Sequence, residues 1–346
     1  MVPGIPEPVG RSSEVPSGKQ LSVASDDHKA VDTLADLAKQ RVLITGAAGF
    51  VGQHLVSRIA EVGSEIYVGV APDEKPECIA RLPGYARRLT FDLCDAGAVR
   101  AAVARAAPQV VFHLAAVGAT DPGVDPRLAL AVNAGGALNL LDALRERAQA
   151  YDDVRRAVLV GTCYEYGARE GIEGLDPFNA YAASKVAAWA FGRTYWRAYG
   201  LSTVTVRPFQ IYGPGQPAHT LVPAAIRAAL AGEDFAMTPG KQERDFIYVG
   251  DVVDGLLAVA AAPGVDGQSL DLGTGQAHTL REVVEHIWAI TGAQGKVLSG
   301  ALPYRPGDVM HLVANADHTA RLTGWRAKVG LEEGLRRTVE TIADEC

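Results

Sequence analysis

Strand-length apolar runs alternate with helix-period segments through the first two-thirds of this 346-residue chain, and a glycine-rich turn follows the first of them. Arg41–Thr45 reads as a strand. Thr45-Gly46-Ala47-Ala48-Gly49-Phe50-Val51-Gly52 then leads into a helix over Val51–Val62. Further strands are expected at Glu65–Val70, Arg88–Asp92, Val110–Leu114, Ala157–Val160 and Thr203–Val206, and helices at Ala96–Ala106, Leu128–Ala148 and Ala180–Tyr199. Such alternation implies an α/β fold with a doubly wound parallel sheet and helices on both faces.

Gly213, Pro214, Gly215 and Pro217 break that pattern. Beyond them, helices at Thr220–Ala231, Val249–Ala262, Leu280–Thr291 and Leu331–Ala343 mix with short extended pieces, which reads as a smaller mixed α/β lobe. The expected division is a flexible arm over 1–40 (with a short helix at Val31–Ala38), a dinucleotide-binding domain over 41–212, and a second lobe made mainly of 213–346.

The balance of charge narrows the functions. Lys plus Arg is 33 and Asp plus Glu is 40, a net charge of −7. A general nucleic-acid binder needs a basic face, so nucleic acid is not an expected partner. Cys78, Cys94, Cys163 and Cys346 are widely spaced, without metal-ligand or disulfide-framework spacing, so no metal is expected. No apolar run approaches the ~18 residues of a membrane span, and residues 1–40 lack a signal peptide's apolar core. A cytoplasmic protein is expected.

The position of the glycine turn gives it chemical meaning. After the first strand of a parallel sheet, at the start of the first helix, backbone N–H groups and the helix dipole accept a pyrophosphate. Gly46 suits the tight turn, Gly49 a close approach of phosphate, and Gly52 close helix–sheet packing. The end of the second strand, where an acidic side chain often holds the adenosine ribose, is Val70 or Ala71, with Asp73 and Glu74 just beyond. No Arg stands there for a 2′-phosphate, so NAD(H) and NADP(H) both stay open. Asp92 ends the third strand, placed either for the adenine amino group or for the turn that Asp95 also serves.

Tyr181 and Lys185 are four apart in an expected helix and so share a face. A phenol is a poor base at neutral pH, and a neighbouring ammonium is expected to lower its pKa. The pair can exchange a proton with an alcohol while hydride moves to or from a nicotinamide. Thr162 closes the preceding strand, at the edge where open parallel sheets gather their active sites. Its hydroxyl is placed to hold the reacting oxygen.

Taken in order, Gly46/Gly49/Gly52, Thr162 and Tyr181/Lys185 resemble the extended short-chain dehydrogenase/reductase family, within its nucleotide-sugar epimerases, dehydratases and ketoreductases. Val111-Phe112-His113-Leu114-Ala115-Ala116, Val132-Asn133, the stretch Arg207–Pro214, the stretch Arg244–Asp251, Arg305-Pro306-Gly307-Asp308 and Gly324-Trp325 fit as well. The resemblance spans roughly residues 41–343. It implies a Rossmann-like domain for NAD(H) or NADP(H), a lobe that grips a nucleoside diphosphate sugar, and a homodimer through Leu128–Ala148 and Ala180–Tyr199. It assigns catalysis to Thr162, Tyr181 and Lys185. Cofactor contacts then fall to Gly46, Gly49, Phe50, Val51, Gly52, Asp92, Leu93, Leu114, Ala115, Ala116, Tyr181 and Lys185. Substrate contacts fall to Thr162, Cys163, Tyr164, Gln210, Arg244, Arg305 and Asp308, with the two arginines toward the diphosphate.

Departures from the family pattern select among its reactions. The 4,6-dehydratases read Thr-Asp-Glu where this chain has Thr162, Cys163 and Tyr164, so the acid pair that eliminates water is missing and Glu165 is one residue out of register. The glutamate used by nucleotide-sugar decarboxylases is also absent at Tyr164, and Gln210 stands where the family often has Asn. The leading expectation is 4-keto reduction of a nucleoside diphosphate 4-keto-6-deoxyhexose. The alternative is 4-epimerisation with bound NAD, and behind both stands a non-catalytic dinucleotide-binding protein.

Overall fold

The computed structural model describes residues 37–121, 123–167, 174–305 and 307–345. Most of the expected arm, together with Pro306 and Cys346, lies outside the described residues.

Seven parallel strands form the main sheet. They are β1 (Arg41–Thr45), β2 (Glu65–Val70), β3 (Arg87–Thr90), β4 (Val110–His113), β5 (Arg156–Val160), β6 (Thr203–Pro208) and, later in the chain, Ser269–Leu272. The sheet order is β3-β2-β1-β4-β5-β6 followed by Ser269–Leu272. The chain reverses direction across the sheet between β1 and β4, and ligands of open α/β sheets bind at such a point, beyond the carboxyl ends of the strands. Near-continuous apolar strands such as Val42–Ile44 and Val110–Phe112 are buried because helices cover both faces.

On one face, α1 (Phe50–Val62) packs Leu55, Val56 and Ile59 against the sheet. The other face is covered by α2 (Ala96–Ala106) and α3 (Gly136–Tyr151), joined by Tyr195 of α4 (Ala180–Tyr199). Asp95 caps α2, accepting from the amides of Gly97 and Ala98, and Asn179 caps α4, accepting from Ala182.

The single helix expected over Leu128–Ala148 is built differently. A short helix, Pro126–Ala129, passes into a π-turn over Leu130–Gly135, and only then does α3 begin. A π-bulge inserts a residue and redirects side chains, often at functional sites. Here it turns Asn133 inward.

The second lobe contains β7 (Gln210–Tyr212), α5 (Leu221–Ala231), β8 (Phe235–Met237), β9 (Glu243–Arg244), β10 (Phe246–Tyr248), α7 (Leu280–Thr291) and α8 (Leu331–Glu345). Between β10 and α7 lie α6 (Val249–Ala261), the seventh sheet strand β11 (Ser269–Leu272) and β12 (His278–Thr279); β13 (Val297–Ser299) and β14 (His311–Leu312) follow α7. Tyr212, Ile226, Phe246, Val283, Ile287 and Leu335 form this lobe's own core. The chain does not divide cleanly in space, because β11 extends the main sheet and α6 packs Val252, Val253 and Leu256 into the first lobe's core.

Candidate active site

The glycine turn is shaped by backbone crowding. Gly46 has φ +70°, and a Cβ on it would lie 2.6 Å from the Ala115 nitrogen. A Cβ on Gly52 would lie 2.2 Å from the Gly46 carbonyl oxygen. Gly49 caps α1 without a side-chain hydrogen bond, and no acidic residue occupies the first turn. The helix therefore presents amides that no side chain of its own neutralises. Phe50 and Val51 open this turn, and the Phe50 ring meets His54 edge-on. Leu114 and Ala115 lie against it from β4, their amides donating to the Thr45 carbonyl oxygen and Oγ1. The cradle fits a dinucleotide's pyrophosphate. Asp92 is exposed and accepts from the Cys94 amide, so one of its oxygens serves the turn. The Leu93 carbonyl accepts from Asn139.

Thr162, Tyr181 and Lys185 come together at the carboxyl end of β5, all buried. The Thr162 amide donates to Glu165 Oε1 at 2.9 Å, and its Oγ1 accepts from the Tyr164 amide. This capping box closes a one-turn helix, Cys163–Glu165. Burial pushes the Lys185 ammonium down to about 8, partly opposed by the Glu165 carboxylate. The Tyr181 phenol departs from the expected lowering. Burial raises its pKa, the Glu165 carboxylate raises it further, and hydrogen bonding with Thr162 offsets this in part. A buried phenol beside a carboxylate keeps its proton.

Tyr164 and Gln210 are bonded to each other, the phenol donating to Gln210 Oε1 at 3.4 Å. Phe178 packs edge-on against Tyr164. Arg244 is buried. It donates to the Glu243 carbonyl and pairs with Asp308, whose second oxygen accepts from Gln242. Asp308 thus supports Arg244. Arg305 is exposed, and its charge still acts on the Tyr164 phenol. Cys163 differs from the rest. It packs among Phe209, Val309, Leu312 and Ala314, and burial pushes its thiol up to about 12, so it behaves as a neutral, apolar group.

Several residues not assigned from sequence are part of the site. Asn133 donates to the Val117 carbonyl and to Ser184 Oγ, and accepts from the Val117 amide, tying the loop after β4 to α4. Asn133, one of two asparagines in the apolar stretch Leu128–Leu141, was the available signal. His113, next to this loop, bonds Thr45 Oγ1 and is pushed down to about 3 by burial and by Lys185. Glu165 and Arg207 form a buried ion pair. Among the described residues no cluster of metal-ligating side chains occurs, and no helix is long and apolar enough to cross a membrane.

The UDP-glucose 4-epimerase of Mycolicibacterium smegmatis is 32% identical over 317 residues, covering 87% of this chain and 97% of that protein. A Thermotoga maritima UDP-glucose 4-epimerase, solved with UDP-glucose, superposes with a TM-score of 0.81 at 27% identity, over 88% of this chain and 99% of that one. The Thermus thermophilus UDP-glucose 4-epimerase, solved with NAD, gives 0.75 at 30% identity over the same shares. The profile of the NAD dependent epimerase/dehydratase family matches residues 42–273, and with the glycine cradle and the Thr162–Tyr181–Lys185 cluster in place, the chain belongs to that family of NAD-dependent enzymes.

Proposed function

We propose that the protein interconverts alcohol and ketone at C4 of a nucleoside diphosphate sugar, and that its reaction is 4-epimerisation. The observation that carries the C4 reading is the composition of the catalytic loop. Thr162 is present beside Tyr181 and Lys185, while Cys163 and Tyr164, both pushed up to about 12, supply neither the acid nor the base that dehydration needs. The two UDP-glucose 4-epimerase structures and the Mycolicibacterium relative support epimerisation and a uridine nucleotide.

NAD bound at the glycine turn supplies the hydride acceptor and donor. Backbone amides of Gly46–Gly52 hold its pyrophosphate. Tyr181 exchanges the proton of the C4 oxygen, Thr162 orients that oxygen by hydrogen bonding, and the Lys185 ammonium stabilises negative charge on Tyr181. Arg244, held by Asp308, and Arg305 meet the sugar nucleotide's diphosphate. Gln210 and Tyr164 face the sugar.

One observation favours a second reading, 4-keto reduction of a 6-deoxyhexulose. The end of β2 is Val70 and Ala71, without an acid to retain NAD through its ribose hydroxyls, which suits a cofactor that exchanges. Incubating the purified protein with UDP-glucose and following UDP-galactose decides between them. Epimer interconversion with retained NAD and no net oxidation is expected. Stoichiometric oxidation of NADH or NADPH by a nucleoside diphosphate 4-keto-6-deoxyhexose, without interconversion, overturns epimerisation in favour of the reductase. The outward apolar side chains of α4 and of the Pro126–Gly135 segment support a homodimer through these elements.

A further inference from the structure

Beneath the catalytic loop lies a charged pair that no substrate or cofactor contact accounts for. Glu165 is fully buried, and its carboxylate makes two bonds in different directions. Oε1 accepts from the Thr162 amide at 2.9 Å, and Oε2 accepts from Arg207 Nε at 2.7 Å. Gly161 leaves room for it, since a Cβ there would lie 2.3 Å from Oε1. The Arg207 guanidinium lies over two rings, 5.1 Å from the Tyr166 centroid and 5.5 Å from that of Trp189. Trp189 is one helical turn beyond Lys185, which is one turn beyond Tyr181, so all three share one face of α4. The Tyr166 hydroxyl donates to Asp271 on β11 at 2.6 Å. The pair therefore joins the catalytic loop, the catalytic helix, β6 and β11.

Burying two charges costs more than a surface pair unless geometry and hydrogen bonding compensate. A similar volume of apolar side chains would hold the loop equally well for stability alone. We propose that Glu165, held by Arg207, is a positioning residue: it fixes the backbone and hydroxyl of Thr162 and presents a fixed negative charge to the Tyr181–Lys185 pair. Thr162 depends on it directly, because the same capping box sets the amide and the hydroxyl. The charge reaches the catalytic helix as well, opposing the burial that lowers Lys185 and adding to that which raises Tyr181. Among the described residues, the titratable groups facing this cluster are Arg207 on β6, Cys163, Tyr164 and Tyr166 on the loop, Asp271 on β11 and, against Lys185, His113 on β4. His113 is neutral above about 3, and Cys163 and Tyr164 hold their protons up to about 12.

The test reads Lys185 itself. Full-length protein carrying 13C-labelled lysine has eight lysines, and Lys185→Met assigns the resonance. In Glu165→Gln the Lys185 signal is expected to titrate about one pH unit lower, the scale on which a close opposite charge acts. The double variant Glu165→Gln/Arg207→Gln, which leaves no unpaired buried charge, is expected to move it the same way and guards against a single variant that fails to fold. In turnover of UDP-glucose the basic limb of the kcat profile moves to lower pH, because loss of the carboxylate lowers Lys185 and Tyr181 together. Misplacement of Thr162 reduces kcat about tenfold or more with KM within about twofold. A Lys185 titration identical to the parent's, with activity falling only as thermal stability falls, overturns the proposal. Its kinetic arm rests on the C4 reading, whereas the lysine titration needs no sugar, so the two fail separately.

Discussion

Tyr181 is held where its proton stays on: burial and the Glu165 carboxylate both act against the phenolate and outweigh the hydrogen bonding with Thr162 that acts for it. Such a group is matched to protonating an oxygen that gains charge, and to taking the proton back when that charge is withdrawn. Tyr181→Phe removes the exchangeable proton and little else. It is expected to lower kcat at least about 100-fold, the lower range for a general acid or base. Cofactor binding, followed by nicotinamide fluorescence, should persist. Unchanged turnover would remove Tyr181 from the chemistry. At this scale the sequence was readable where chemistry and spacing coincide. Tyr181 and Lys185 lie four apart on one helix face, and Thr162 ends a recognisable strand. Glu165 and Arg207 are separated by 42 positions, and each alone looks like an ordinary charged residue. Only the packing of β6 under the loop brings them together. The sign of the Tyr181 shift was not readable either, because local spacing names the neighbouring ammonium but not the burial that outweighs it.

The turn between β1 and α1 depends on two glycines for different reasons, and substitutions separate them. A Cβ on Gly52 meets backbone, the Gly46 oxygen at 2.2 Å, which cannot swing aside. Gly52→Ala should therefore cost roughly 1–3 kcal/mol, as overpacking does, lowering the thermal midpoint even without nucleotide. A Cβ on Gly49 lies 3.3 Å from the Gly46 oxygen, a tight contact that a small shift relieves. Gly49→Ala should keep most of the stability and lose affinity for NAD, measured by calorimetry, because the methyl group intrudes where phosphate approaches. Equal losses of stability in both variants would show that the turn is only a packing device. The element pattern itself was legible, since alternating strands and helices fix the parallel sheet. The π-turn at Leu130–Gly135 was not. Its residues keep helical periodicity, and the extra residue in the turn comes with tertiary bonds from Asn133 to Val117 and Ser184.

For the molecule as a whole, the exposed apolar surface of α4 and its neighbour needs an account. Leu128 and Leu130 are 49% and 59% exposed, and Phe191 and Tyr199 on α4 are 37% and 52% exposed. Single exposed apolar residues are ordinary, but large ones gathered on adjacent helices mark an association surface. A two-fold axis would pair each patch with its own copy. The face of α4 that carries Tyr181, Lys185 and Trp189 points into the protein, so a partner on the opposite face would buttress this helix from outside. The protein is expected to elute from a light-scattering column at about twice its chain mass of 36.4 kDa. Phe191→Glu combined with Leu130→Glu would place carboxylates in that seam, at a cost of roughly several kcal/mol per buried charge. The expected result is a species of single-chain mass with a lower thermal midpoint, since helix packing across the seam is lost. A parent already at single-chain mass at micromolar concentration would remove the dimer. A double variant that still sediments as a dimer would place the interface elsewhere on the surface.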